Sequence, residues 1–180
     1  MKVYLVRPGE NDKGILTSKG IWQIKTTARR FLTEKTQIDK IYVNGNSVSK
    51  QSGEILSKSL IVPVVSDERF SEIKESVILG NFSEDENENL EYVNLFVDEI
   101  VSNGKDVIIS IGNGVHRAVI SRLTGMSLVE TRHFSIAESS VSLIESKYDG
   151  FNNKWVISNI NDLTHLKMPW VSLAHKCKLG

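Results

Sequence analysis

Residues 106–111 read Asp-Val-Ile-Ile-Ser-Ile, a nearly continuous apolar run. A strand with one wet face alternates apolar and polar residues, whereas a strand without alternation must be covered on both faces, as at the centre of a parallel sheet. This run therefore predicts a central parallel strand, and the rest of the chain must supply helices for both of its faces. A first strand over residues 2–6 stops at Arg7-Pro8-Gly9, because proline has no N–H for a sheet ladder. Thr17 or Ser18 caps a first helix with Ile21, Ile24, Ala28, Phe31 and Leu32 on its buried stripe. Residues 38–43 form a second strand. Ser47 opens a helix to about Leu60 with Ile55 and Leu56 facing inward, and residues 61–65 form a third strand. Leu90, Val93, Val97 and Ile100 mark a helix closed by Asn103-Gly104, and Gly112-Asn113-Gly114 leads into another that ends at Gly125. Residues 141–146 and 155–160, joined through Tyr148-Asp149-Gly150, predict an antiparallel hairpin at the sheet edge. The expected fold class is α/β: three layers, a mostly parallel sheet and an antiparallel edge hairpin. Residues 66–90 lack periodicity and carry the acidic run Ser83-Glu84-Asp85-Glu86-Asn87-Glu88. They read as a short, exposed acidic insertion, a solvated loop or helix start.

Composition limits the function. The 180 residues suit a single domain over residues 1–180. The 22 basic and 22 acidic residues cancel, so no global field draws the chain to nucleic acid or an anionic membrane. Cys177 is the only cysteine, which leaves no intrachain disulfide and no cysteine zinc cluster. His116, His133, His165 and His175 show no metal-ligand spacing, so neither a metal nor a cofactor is expected. The four-residue apolar run before Arg7 is too short for a signal core or a membrane span, and the cytoplasm is the default location. Trp22, Trp155 and Trp170 read as packing residues, since no basic stripe accompanies them.

In an open α/β sheet the ligand crevice lies beyond the carboxyl ends of the strands. This draws attention to Arg7-Pro8-Gly9 and Gly112-Asn113-Gly114. The glycine turn is a weak dinucleotide signal, because Arg117 stands where the third glycine would be. It is, however, a general anion cradle, aided by Arg7 and Arg117. Arg7 reads equally well as a phosphate ligand or as half of an ion pair with Glu10 or Glu72.

The opening MKVYLVRPGE resembles that of the histidine-phosphatase (phosphoglycerate-mutase-like) superfamily, in which a strand runs into Arg-His-Gly-Glu. Leu16-Thr17 with Gly20 and Gln23 resembles the family's LTxxGxxQ, and IYVNGNSVSKQSGE from Ile41 resembles the strand followed by SPLxRAxQTAE. DERFSE from Asp67 is similar to DxxLxE, DVIISIGNGVHRA from Asp106 to VSHGGxxRA, and residues 140–166 to the closing hairpin. The resemblance implies the phosphoglycerate-mutase-like fold. It also implies a chemistry in which a phosphoryl group passes to the first histidine, is held by arginines and a second histidine, and is released to water. Imidazole is nucleophilic at neutral pH, and guanidinium groups clamp phosphate oxygens while neutralising their charge.

Carried over residue by residue, the resemblance implies a damaged site. Arg7 is retained, but the nucleophile position is Pro8, which has no lone pair for attack. Val48 replaces the arginine of SPLxRA and Gly112 replaces the second histidine. Glu72 matches the acidic position, a candidate proton donor. Arg7, Asn113, Gly114 and His116 are the candidate phosphate ligands, with His116 in the first turn of the helix after the glycine loop, where the family has an apolar residue and a histidine packed aside or solvated is the plainer reading. Lys50 is two residues beyond Val48, about 200° around a helix, and so leaves the opposite face. The expectation is a catalytically inactive phosphatase-like protein, a pseudoenzyme. Its residual crevice would take inorganic phosphate or a phosphorylated small molecule, or serve a protein partner. The alternatives are an active phosphomonoester hydrolase rewired through Glu72 or His116, and a scaffold with no ligand. The short acidic insertion disfavours a polyanionic ligand.

Overall fold

The computed structural model describes residues 1–70, 72–78, 80 and 84–167; Trp170, His175 and Cys177 lie outside them. The chain runs through β1 (Lys2–Val6), β2 (Asn11–Asp12), β3 (Ile15–Leu16), α1 (Ser18–Thr33), β4 (Lys40–Val43) and α2 (Ser47–Leu60). It continues through β5 (Val64–Ser66), α3 (Glu75–Ile78), α4 (Glu84–Asn103), β6 (Val107–Ser110), α5 (Asn113–Thr124), β7 (Val141–Tyr148) and β8 (Asn153–Asp162). The main sheet has the order β5-β4-β6-β1-β7-β8. β5, β4, β6 and β1 are mutually parallel, β7 runs antiparallel to β1, and β8 closes the hairpin.

The apolar run at residues 106–111 is the interior strand its sequence requires: all four residues of β6 are buried between β4 and β1. Alternation along the neighbouring strands divides the core in two. Val3, Leu5 and Tyr42 face α4 and α5 with Val93, Phe96, Val97 and Val119, while Tyr4, Val6, Ile41 and Val43 face α1 and α2 with Ile24, Phe31 and Leu56. Tyr4 meets Phe31 edge-on with ring centres 5.2 Å apart, and Tyr42 meets Phe96 at 5.0 Å. These are the three expected layers.

Helix boundaries follow their caps. The Thr17 side chain accepts from the Gly20 N–H to start α1; Asn46, one residue before the expected Ser47, accepts from the Ser49 N–H to start α2. Gly104 and Gly125 take left-handed conformations after α4 and α5, where a β-carbon would be strained. α1 differs from its expected stripe: Ile21 and Leu32 are exposed, and Gln23 and Thr27 are buried in their place. Their partners explain it, since the Gln23 side chain accepts from the Glu10 N–H and Thr27 bonds Ser139 and His165.

Residues 66–90 also depart from expectation. Far from being an exposed connection, they carry Phe70, Ile73, Val77 and Ile78 into the core beneath α4 and α5, with the Phe70 ring 4.0 Å from that of Phe96. The segment is short and irregular, so its apolar residues have no period to betray them. From Glu84 onward the chain is helical and forms α4, so this part is the helix start that the sequence allowed.

Candidate functional site

β1 and β6 are adjacent and parallel, but their carboxyl ends lead to opposite faces, β1 toward α1 and β6 directly into α5. Loops diverging from neighbouring strands leave a crevice between them. That crevice holds a cavity of about 160 Å3 lined by Arg7, Pro8, Asn11, Asn46, Val48, Gly112 and Glu138. The structure thus brings together Arg7 and all three positions where the resemblance implied lost groups. Asn11, Asn46 and Glu138 were not singled out from the sequence. Asn11 and Glu138 lie on a two-residue strand and a loop outside any motif, while Asn46 falls within the segment around Val48 but at a position to which the resemblance gave no role.

The first turn is held by backbone. Pro8 is buried, and its carbonyl accepts from the Ser139 N–H at 3.1 Å. The Arg7 N–H donates to the Ser140 carbonyl at 3.0 Å, and its guanidinium Nη1 donates to the Ile136 carbonyl. Among the described residues Arg7 has no ion pair: Glu10 is bound by Lys19 and by the Thr17 hydroxyl. The Glu10 carbonyl passes so close to α1 that a β-carbon on Gly20 would lie 2.0 Å from it.

At Gly112 the second turn is filled by a side chain, whereas a β-carbon on Gly114 would lie 1.9 Å from the Ile73 carbonyl. A β-carbon on Gly112 would fall 2.2 Å from Glu72 Oε2, so the Glu72 carboxylate stands where a side chain at position 112 would begin. The Gly114 N–H approaches Glu72 Oε1 at 3.4 Å. Glu72 as a residue is exposed, yet its carboxylate is desolvated by the loop it touches. That burial raises its pKa above the ordinary carboxylate value, with the Gly114 N–H and the Arg7 charge pulling it back.

Asn113 and Gly114 do not line the crevice with Arg7. With Glu72, Lys74, Arg117 and Arg132 they line a neighbouring cavity of about 320 Å3 on the other side of the glycine turn. Arg117 is 8% exposed and donates to the carbonyls of Thr131 and Phe134, which ties α5 to the following turn.

His116 corrects an expectation. It is fully buried, with Nε2 3.1 Å from the Ser142 hydroxyl on β7, and it lines neither cavity. Burial first, then the charges of Arg117 and Arg7, hold its pKa down to about 3, so the ring is neutral at physiological pH. It cannot reach a phosphate or activate water in the crevice. His165 is buried too, its Nε2 3.0 Å from the Thr27 hydroxyl, and burial lowers its pKa. His133 is exposed and Lys50 does not line the crevice. Among the described residues no group of three metal-ligating side chains converges, and no helix is long and apolar enough to cross a membrane.

A larger cavity, about 400 Å3, lies away from the strand ends between α1 and the turn at Thr164–Lys167. It is lined by Arg29, Arg30 and His165, among others.

No protein-family model and no curated protein sequence matches the chain. Solved structures do. The alpha-ribazole phosphatase from Shigella flexneri superposes with a TM-score of 0.72 at 16% identity, over 90% of this chain and 96% of that one. A mycobacterial glucosyl-3-phosphoglycerate phosphatase gives 0.70 at 12% identity, over 89% and 98%. The phosphoserine phosphatase of Entamoeba histolytica, in complex with 3-phosphoglyceric acid, gives 0.68 at 18% identity, over 92% and 98%. The likeness in each case is one of fold.

Proposed function

We propose that this chain, whose fold is that of the histidine phosphatases, no longer transfers phosphoryl groups and uses its strand-end crevice to bind a small phosphorylated molecule or inorganic phosphate. The observation that carries this reading is the convergence of Pro8, Val48 and Gly112 on one cavity with Arg7. Pro8 offers no nucleophile, Val48 no charge and Gly112 no imidazole, while Arg7 still presents a guanidinium. Fixed positive charge is the main device by which proteins stabilise a phosphoryl-transfer transition state, and one arginine supplies little of it. Binding asks for less, since a guanidinium and polar neighbours suffice to hold an oxyanion. The fold relatives named above are phosphatases of small phosphorylated compounds, which favours the same ligand class here.

A hydrolase rewired through Glu72 is the second reading. The raised pKa of Glu72 beside Arg7 is what a retained general acid requires. It lacks an attacking group, because His116 is sealed in the core and neutral. Two measurements separate these readings. Assay of the purified protein against a panel of phosphomonoesters, alongside Arg7→Ala and Pro8→His, is expected to give no Arg7-dependent turnover; turnover lost in Arg7→Ala would overturn the non-catalytic reading. Calorimetric titration with phosphate should show binding that Arg7→Ala abolishes. Its absence up to millimolar concentration would remove the ligand and leave the scaffold reading.

A further inference from the structure

Glu138 places a carboxylate residue in the same cavity as Arg7. Its backbone is held firmly. Residues on either side of it are tied to the first turn and to the closing hairpin: Ile136 accepts from Arg7 Nη1, the Ser139 N–H donates to the Pro8 carbonyl at 3.1 Å, Ser140 accepts from the Arg7 N–H at 3.0 Å, and the Ala137 N–H donates to Asn161 Oδ1 at 2.7 Å. Ser139 takes a left-handed backbone conformation, φ 58°, which a non-glycine residue holds only when its surroundings fix it. Glu138 itself makes no hydrogen bond or ion pair among the described residues. The cation whose field it shares is Lys19, which is already bound to Glu10. A bare phosphate entering this cavity meets Arg7 but also the negative charge of Glu138, and Glu72 adds a second carboxylate at the Gly112 edge. At about 160 Å3 the cavity is below the volumes that hold drug-sized ligands.

On the reading that the crevice binds an anion, we propose that Glu138 sets its specificity. The ligand is a small phosphomonoester that also carries a cationic group, its phosphate against Arg7 and its ammonium against Glu138. Such a molecule turns the unfavourable carboxylate into a second charge-assisted contact, and the backbone that carries both residues is held before it arrives.

The probes are phosphoethanolamine and ethyl phosphate, which share the phosphate and differ in the ammonium. Each is titrated calorimetrically into the wild-type chain, Glu138→Gln and Arg7→Ala, with thermal melts confirming that all three are folded. The wild-type chain should bind phosphoethanolamine about tenfold more tightly than ethyl phosphate, the scale of one charge-assisted contact. Glu138→Gln should erase that preference while binding ethyl phosphate at least as well. Equal affinities in the wild type, or a preference that survives Glu138→Gln, overturns the role of Glu138 and leaves anion binding intact. Failure of both probes to bind in an Arg7-dependent way overturns the anion-binding reading itself, and this inference with it.

Discussion

The two turns that frame the crevice follow neighbouring strands, yet they are built differently. The turn after β1 is fixed by main chain against main chain: Pro8 to Ser139, Arg7 to Ser140, and the Glu10 carbonyl pressed on Gly20. The turn after β6 is closed at Gly112 by the end of a side chain, Glu72, and only at Gly114, on its far side, by backbone, the Ile73 carbonyl. Backbone cannot move without dragging its strand, whereas a glutamate can turn aside. The first turn therefore preserves the shape of the crevice, and the Gly112 edge of the second is where that shape can change.

Crowding the backbone of the first turn should cost far more than crowding the Gly112 edge of the second. Gly20→Ala puts a β-carbon 2.0 Å from the Glu10 carbonyl and should cost about 2–3 kcal/mol of stability, measured by urea unfolding. A near-neutral result would show that this turn is as yielding as the other. Acid should cost a comparable amount, about 2 kcal/mol between pH 6.5 and 5, through the helix that leaves the second turn. The folded pKa of His116 is depressed to about 3 from 6.5, so below pH 6.5 the unfolded chain binds a proton that the folded one refuses. Stability is then whole above pH 6.5 and is lost on acidification by about 1.4 kcal/mol per pH unit for this one group, down to about pH 3. His165, also depressed, acts in the same direction. Melts between pH 7 and 5 should show a shallower slope for His116→Gln, and parallel curves for the two proteins would count against a neutral buried ring.

Arg7→Ala should weaken phosphate binding at least tenfold, about 1.4 kcal/mol, by calorimetry. Retained affinity would move the anion to the neighbouring cavity beyond the glycine turn. Gly112→Ala should matter least, within about 1 kcal/mol, because its φ of −67° suits alanine and only the Glu72 carboxylate must shift. A loss as large as that for Gly20→Ala would make Glu72 as rigid as backbone and erase the contrast between the turns.

Much of this was legible in the sequence where local pattern and tertiary role coincide. The unbroken apolar run of β6, the Thr17 cap and the glycine stops each report a local requirement that the fold keeps. The pattern fails where a neighbour decides. Ile21 and Leu32 fit an apolar stripe, but α1 turns its polar Gln23 and Thr27 inward because Glu10, Ser139 and His165 await them. Phe70 and Ile73 sit in an aperiodic segment, and their burial depends on α4 and α5. In the crevice, Arg7, Pro8, Val48 and Gly112 were accessible through motif positions. Glu138 was not, because nothing in its local sequence says which loop it will face.

The two core clusters contain none of the residues that line the crevice. Inheritance can therefore act on them separately. Substitutions at Val48 or Glu138 leave both clusters untouched, so the architecture holds its shape whatever the crevice comes to carry.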